Sequence, residues 1–310
     1  QNEFEFLGGS AITLWGRTSP ALNFNGSRGE LPFSDHPNGP DSRALDCPVG
    51  VTVAGNVAHD LGLWQKQSSL LFQAVSAQTT IQGNIAYNLP RAAINLNDGH
   101  GGGDIISGNF LANTCKESGD HGPINSWDRI PYITMVATGR PSIVPAFRTI
   151  TRNYIIGTYN SQEAVDNDDG SARYRTSGNV LAFADYGMKS DFGGWQNHHS
   201  GNLYPFVCSC FGEGPNDSFT NNTCVVRLGG GCWFWPAYAS DCNTSRGPPA
   251  PGFTTAGNAI YTETGNVTVC GSNPMPLAQW VLQGHDPRSF AAPWPSLARL
   301  ASWIRELLSF

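Results

Sequence analysis

The sequence predicts an all-β fold, a right-handed parallel β-helix with a Cys-rich loop region and a short C-terminal helix. Three observations carry that expectation. Eight segments share one pattern, a small-polar pair ending in Asn and followed by apolar residues: TVAGNVAHD, TIQGNIAYN, IISGNFLAN, TITRNYIIG, RTSGNVLAF, HHSGNLYPF, SFTNNTCVV and TTAGNAIYT. Their central asparagines are Asn56, Asn84, Asn109, Asn153, Asn179, Asn202, Asn222 and Asn258. The intervals are 28, 25, 44, 26, 23, 20 and 36 residues, most of them one coil of a β-solenoid. The composition agrees: 36 Gly and 21 Pro with only 14% charged residues suit many tight turns better than charge-faced helices.

Each part of the pattern has a physical reason. Gly or Asn lets the chain turn through a left-handed conformation between strands, and Asn can bond to its equivalent in the next coil. The asparagines should therefore form a ladder. The apolar residues Val57, Ile85, Phe110, Ile155, Val180 and Leu203 are expected to point inward and stack about 4.8 Å apart. A propeller would need a longer repeat of four strands, and the Leu spacing of a leucine-rich horseshoe is absent. The two long intervals predict insertions near 117–150 and 228–256 within one β-helix domain spanning 1–295. The stretch 296–310 places Leu297, Leu300, Ile304, Leu307 and Leu308 at helical spacing after a Ser296 N-cap, so a capping helix over an end or side of the solenoid is expected.

Composition also bounds the compartment and the partners. Cys208, Cys210, Cys224, Cys232, Cys242 and Cys270 crowd into a loop-rich region, with Cys47 and Cys115 upstream. Disulfides fit them better than zinc, because Cys208-Ser209-Cys210 is too tight for a zinc knuckle and no His pair follows. Five sequons, at Asn25, Asn216, Asn221, Asn243 and Asn266, point to a secreted or cell-surface glycoprotein. Gln1 opens a strand-like stretch with no apolar leader, so any export signal is expected to have been removed or left out. No apolar run suits a membrane span. A net charge of −6 argues against nucleic acid, and 15 Arg against three Lys favours forked hydrogen bonding to polar or anionic groups.

Polar residues concentrate on three neighbouring coils. PRAAINLNDGHGGGD contains Arg91, Asn95, Asn97, Asp98, His100 and Asp104. CKESGDHGPINSWDR contains Glu117, Asp120, His121, Asn125, Trp127, Asp128 and Arg129. QEAVDNDDGSARY contains Glu163, Asp166, Asp168, Asp169, Arg173 and Tyr174. Counted from the preceding ladder asparagine, Asp98, Asp120 and Asp166 to Asp169 share a similar phase, which predicts one column of carboxylates. Rungs of about 4.8 Å give separations in the range used by retaining and inverting glycosidases. Crowding would raise the proton affinity of one carboxyl and leave its neighbour ionised. Trp127, Tyr174 and Trp195 are candidate sugar platforms. Arg91, Asn97, Asp98, Trp127, Asp128, Arg129 and Arg173 are candidate substrate contacts. The same letters also serve plain structure, since Asp-Gly is a turn signature and corner Asn and Asp satisfy backbone donors. Asp166-Asn167-Asp168-Asp169-Gly170 offers hard oxygens for Ca²⁺, without the EF-hand pattern. No other cofactor is expected.

From about Gly50 to Tyr204, the order QKQSS, FQAV, PRAAINLNDGHGGG, ESGDHGPINSWDR and AVDNDDGS resembles the right-handed β-helix region proteins of the pectin-lyase-like superfamily. More distantly, the Ser-Gly-Asp turn paired with a later Asp-Asp-Gly-Ser turn is similar to glycoside hydrolase family 141, whose members act on plant polysaccharides. That resemblance implies Asp120 and Asp169 as a carboxylate pair; Asp168 and His121, a candidate proton shuttle, are further catalytic candidates from the residues themselves. The stretch His121 to Arg129 departs from the glycosidase pattern. Three functions follow as expectations: a glycoside hydrolase on an extracellular polysaccharide, a structural or adhesive glycoprotein binding glycans or other subunits, and a polysaccharide lyase with Arg129, Arg173 or His121 as base.

Overall fold

In the computed structural model the described residues are 1–16, 48–97, 102–127, 132–135, 140–157, 163–168, 170–190, 194–211, 214–227, 237–239, 250–270 and 273–308. Among them the chain winds through three parallel sheets of ten, eight and seven strands. One coil shows the rule. Thr52–Ala54 lies in the eight-stranded sheet, Val57–His59 in the ten-stranded sheet and Leu71–Ala74 in the seven-stranded sheet, and Thr80–Gln82 returns beneath Thr52–Ala54. The protein is a parallel β-helix.

The predicted ladder is present at the corner between the eight- and ten-stranded sheets. Asn84 accepts from both the backbone N–H and the side-chain amide of Asn56, each at 3.0 Å, and the same pair of bonds recurs through Asn109, Asn153, Asn179, Asn202, Asn222 and Asn258. Each amide from Asn84 onward also donates to a strand carbonyl of the coil before it, as Asn84 does to Val53. The eight repeats underestimate its length: Asn2 donates to Asn56 at one end, and the Ser289 hydroxyl accepts from the Asn258 N–H at the other.

The expected inward residues need correction. The ladder asparagine itself is buried, so strand alternation turns the next residue outward and the one after it inward. Ile85 and Phe110 are 41% and 36% exposed, whereas Ala58, Ala86, Leu111, Ile155, Leu181, Tyr204, Cys224 and Ile260 line the core. Of the six residues predicted to point inward, Ile155 alone joins that core. Val180 and Leu203 are buried from outside, in a second cluster with Leu300, Trp303 and Leu307. The seven-stranded sheet contributes Leu71, Ile94, Ile124, Val165 and Met188 to the main core, and each such burial stabilises by about 1.5–3 kcal/mol.

The first long interval holds an antiparallel hairpin, Tyr132–Met135 with Arg140–Pro145, and Ile124–Trp127 before it is an ordinary coil strand. The second brings in Ala237–Ala239, which pairs antiparallel with Thr268–Cys270. The helix Leu297–Leu308 is N-capped by Ser296, whose hydroxyl accepts from the Arg299 N–H, and packs on the outer flank of the ten-stranded sheet. The short helix Leu277–Leu282, not foreseen, packs Leu277 against the end of the main core. Cys210 and Cys224 form a disulfide across the interior between the seven- and ten-stranded sheets. Cys115 and Cys208 are buried thiols, Cys270 is buried, and Cys47, Cys232 and Cys242 lie outside the described residues. No helix among the described residues is long and apolar enough to cross a membrane.

Candidate functional site

The site stands on the seven-stranded sheet. Leu71–Ala74, Ile94–Asn97, Ile124–Trp127 and Glu163–Asp168 pair in register, which lines up Phe72, Asn95, Asn125 and Asp166 in one column and Ala74, Asn97, Trp127 and Asp168 in a second. Leu71, Ile94, Ile124 and Val165 occupy the core, so strand alternation turns both columns outward.

Asn95, Asn125 and Asp166 of the first column are nevertheless buried, because the loops preceding the strands fold over them, and Phe72 is half-buried. From one such loop Arg91 donates to Gln67 Oε1 at 2.6 Å and to Asn125 Oδ1 at 3.4 Å, and its other contact is His121 Nδ1 at 3.2 Å. Burial first, and then the Arg91 charge, push the His121 imidazole down to about 4, so at neutral pH it is uncharged and accepts from Arg91. Asn125 passes the contact on by donating to Asp166 Oδ2 at 3.0 Å. Lys189 follows Tyr186–Met188, whose Met188 pairs with Val165, so it falls beside Asp166. Its ammonium lies 3.1 Å from Asp166 and 3.1 Å from Asp168. Burial pushes Asp166 up to about 7; Lys189 opposes that shift, while Asp168 and Asp120 add to it. Gln67, Arg91, Asn125, Asp166, Lys189 and Asp168 thus form one connected polar chain across five coils.

The second column reaches the surface. The register continues from Ala74 to Trp15, which is 62% exposed and stacks on Phe72 at 5.7 Å with the rings 9° apart. Asn97, Trp127 and Asp168 are half-buried, and Asn97 accepts from Asn95 at 2.6 Å. Four rungs of about 4.8 Å separate Trp15 from Asp168, a strip of about 20 Å with aromatic faces, an amide and a carboxylate.

The structure brings together Arg91, Asn97, His121, Trp127 and Asp168 as the sequence suggested, but redistributes their roles. Arg91 is buried and holds other side chains, so it positions the site. Asp120 is exposed in the loop before Ile124–Trp127, and its charge acts on Arg91, His121 and Asp166. It does not share the rung of Asp166 or Asp168. The single column fails because the connection from Ala112 to Ile124 is longer than that from Tyr87 to Ile94, so equal counts from the ladder do not reach equal rungs. Asp98, Asp128, Arg129 and Asp169 lie outside the described residues, as do Asn25 and Asn243.

Arg173 stacks over Trp195 at 4.6 Å and Phe147 at 5.7 Å, in an aromatic group beside the eight-stranded sheet. Tyr174 is fully buried and offers no sugar platform. Of the oxygen set considered for Ca²⁺, the described side chains do not converge: Asp166 and Asp168 share Lys189, whereas Asn167 turns to the other face and donates to Ser126. Asn216, Asn221 and Asn266 are exposed. Lys189 and Gln67 were missed by the sequence reading. One signal was available for Lys189: an acidic strand needs a cation on the next rung, and the chain has only three lysines.

No protein-family model matches the chain, and neither curated proteins nor solved structures give a match.

Proposed function

We propose that the chain is a secreted carbohydrate-active β-helix protein that lays a linear polysaccharide along the outer column of the seven-stranded sheet. One observation carries the reading: Trp15, Ala74, Asn97, Trp127 and Asp168 stand in one outward column, in which Trp15 is exposed, Ala74 is buried and Asn97, Trp127 and Asp168 are half-buried. Aromatic faces suit the apolar faces of sugar rings, and the amide and carboxylate suit hydroxyls.

The chemical step proposed there is glycoside hydrolysis by Asp168 and Asp120, of which Asp168 is half-buried and Asp120 exposed. Asp168, held beside Lys189, and Asp120 are the carboxyl pair of that step. Asp166 is closed to solvent and holds Lys189 in place. A second, non-catalytic reading is favoured by that same lysine, because its ammonium already compensates Asp166 and Asp168; an adhesive or matrix glycoprotein would keep such a neutralised wall.

Screening the intact protein against a panel of extracellular polysaccharides, with binding and reducing-end release read together, separates these outcomes. Trp127→Ala should weaken binding about tenfold or more through loss of ring contact. The Asp120→Asn, Asp168→Asn double variant should bind only a few-fold weaker, the amide keeping a polar contact at 168, and lose product release by at least about 100-fold. Binding without release in the unaltered protein selects the adhesive reading. Absence of glycan binding, or binding that ignores Trp127→Ala, overturns the proposal.

A further inference from the structure

A second cluster lies on a different wall, the outer face of the ten-stranded sheet near its first strand. Glu3–Glu5 pairs in parallel with Val57–His59, with Glu5 opposite His59. Glu3 and Glu5, two residues apart, share the outward face, while Phe4 between them packs on the core. The imidazole of His59 is fixed from three sides. It stacks on Tyr87 at 4.8 Å with the rings 9° apart, meets Phe6 edge-on at 6.2 Å, and has Nδ1 2.9 Å from Asp60 Oδ2. In the neutral ring that contact keeps the proton on Nδ1 and leaves the Nε2 lone pair facing Glu3 Oε1 at 3.5 Å and Glu5 Oε2 at 3.7 Å.

We infer that Glu3, Glu5 and His59 form a binding site for a divalent transition metal of the zinc class, with Asp60 as the outer partner that orients the imidazole. The ring is what distinguishes the trio from exposed acids that merely gather. With the ring neutral, three acceptors converge within 4.8 Å of one another across gaps longer than hydrogen bonds, which leaves room for a cation between them. Metal–ligand distances of about 2.0–2.2 Å set tetrahedral edges of about 3.4 Å, close to the two nitrogen–oxygen separations. A carboxylate on the far nitrogen is the usual companion of a metal-bound histidine. The nitrogen ligand selects zinc, cobalt or nickel over calcium and magnesium, which take oxygen. Three protein ligands leave a fourth position for water. The proton is the competitor: Asp60 chiefly, then Glu3 and Glu5, hold His59 above its ordinary range against the desolvation that lowers it, and Tyr87 is the remaining titratable group packed on the ring.

Titration calorimetry of the full chain with zinc chloride at pH 7.5 tests the site, with calcium chloride as the comparison. The expected result is one equivalent of zinc bound and no calcium, at least 100-fold weaker zinc binding in the Glu3→Gln, Glu5→Gln double variant, and about 10–100-fold weaker binding in Asp60→Asn. Both glutamates are exposed, so the double variant should melt with the unaltered protein in chelator; His59→Asn is the second variant and should lose binding equally. Cobalt loaded in place of zinc should show no thiolate charge-transfer band. Equal zinc affinity in the double variant, or a thiolate band assigning the metal to Cys115, Cys208 or Cys270, overturns the inference. Neither outcome touches the glycan reading, which rests on another sheet.

Discussion

Lys189 holds its ammonium 3.1 Å from Asp166 in a wall where both side chains are all but closed to water. Removing one partner of such a pair leaves an uncompensated charge, so Lys189→Met should cost about 3–5 kcal/mol at pH 8. The cost should shrink at pH 5, because Asp166, pushed up to about 7 by burial, then carries a proton and needs no cation. Adding Asp166→Asn to Lys189→Met should recover much of the loss. Urea midpoints of the two single variants and the double variant, at both pH values, check the coupling. A loss that is independent of pH would show that Lys189 contributes packing alone.

A second carboxyl gives a pH dependence of its own. Asp217 accepts from the backbone N–H of Asn197 at 2.7 Å and of Gly214 at 2.6 Å, yet burial outweighs those donors and pushes it from 3.8 to about 7. A raised carboxyl binds its proton more tightly in the folded chain. Its contribution is therefore complete below about pH 4 and is lost as pH rises through about 7. The difference in stability between unaltered protein and Asp217→Asn should fall by an amount on the order of 2–4 kcal/mol across that window. Chemical denaturation at pH 4.5 and pH 8 measures it, and a constant difference would contradict the assignment.

The asparagine ladder should grade in strength from its end to its middle. Asn153 accepts two bonds from Asn109 and donates from its side-chain amide to Asn179, Ile106 and Thr151 in a dry interior. Asn153→Ala leaves several buried groups without partners at about 1–3 kcal/mol each, so a total of about 3–5 kcal/mol is expected. Asn2 sits at the end, exposed to water, and Asn2→Ala should cost about 1 kcal/mol. Thermal denaturation of the two variants gives the comparison; equal losses would mean the ladder is not a cooperative element.

The fold was legible because one residue type recurs where one geometry is obligatory. Asn56 through Asn258 announce their corner, since the turn and the ladder accept little else. The inward residues were misread by one position because the ladder asparagine itself faces inward, and a period of two converts that detail into a full inversion. Lys189 and Gln67 stayed hidden for another reason: partners across coils are set by register, and register depends on loop lengths that vary freely between rungs. Metal-ligating Glu3, Glu5 and His59 look like unrelated residues until the first strand is paired with the second coil.

The turn before each ladder asparagine supplies the clearest test of backbone strain. Gly55, Gly83, Gly108, Gly178, Gly201 and Gly257 take left-handed φ values near 60°, while Arg152 and Asn221 adopt the same conformation at 55° and 53°. A side chain there costs about 1–2 kcal/mol of steric strain, partly offset by the smaller entropy of its unfolded chain. At Gly83 an added Cβ meets nothing within 4 Å, so Gly83→Ala reports the backbone alone and should lose about 1 kcal/mol. Arg152 is exposed, and Arg152→Gly should gain about 0.5–1 kcal/mol. Asn221 is also a sequon asparagine, so its replacement would confound strain with glycosylation and Arg152 is the cleaner site. Opposite shifts in melting temperature for Gly83→Ala and Arg152→Gly would establish that the repeat keeps glycine for its dihedral; shifts of the same sign would assign the pattern to something other than the turn.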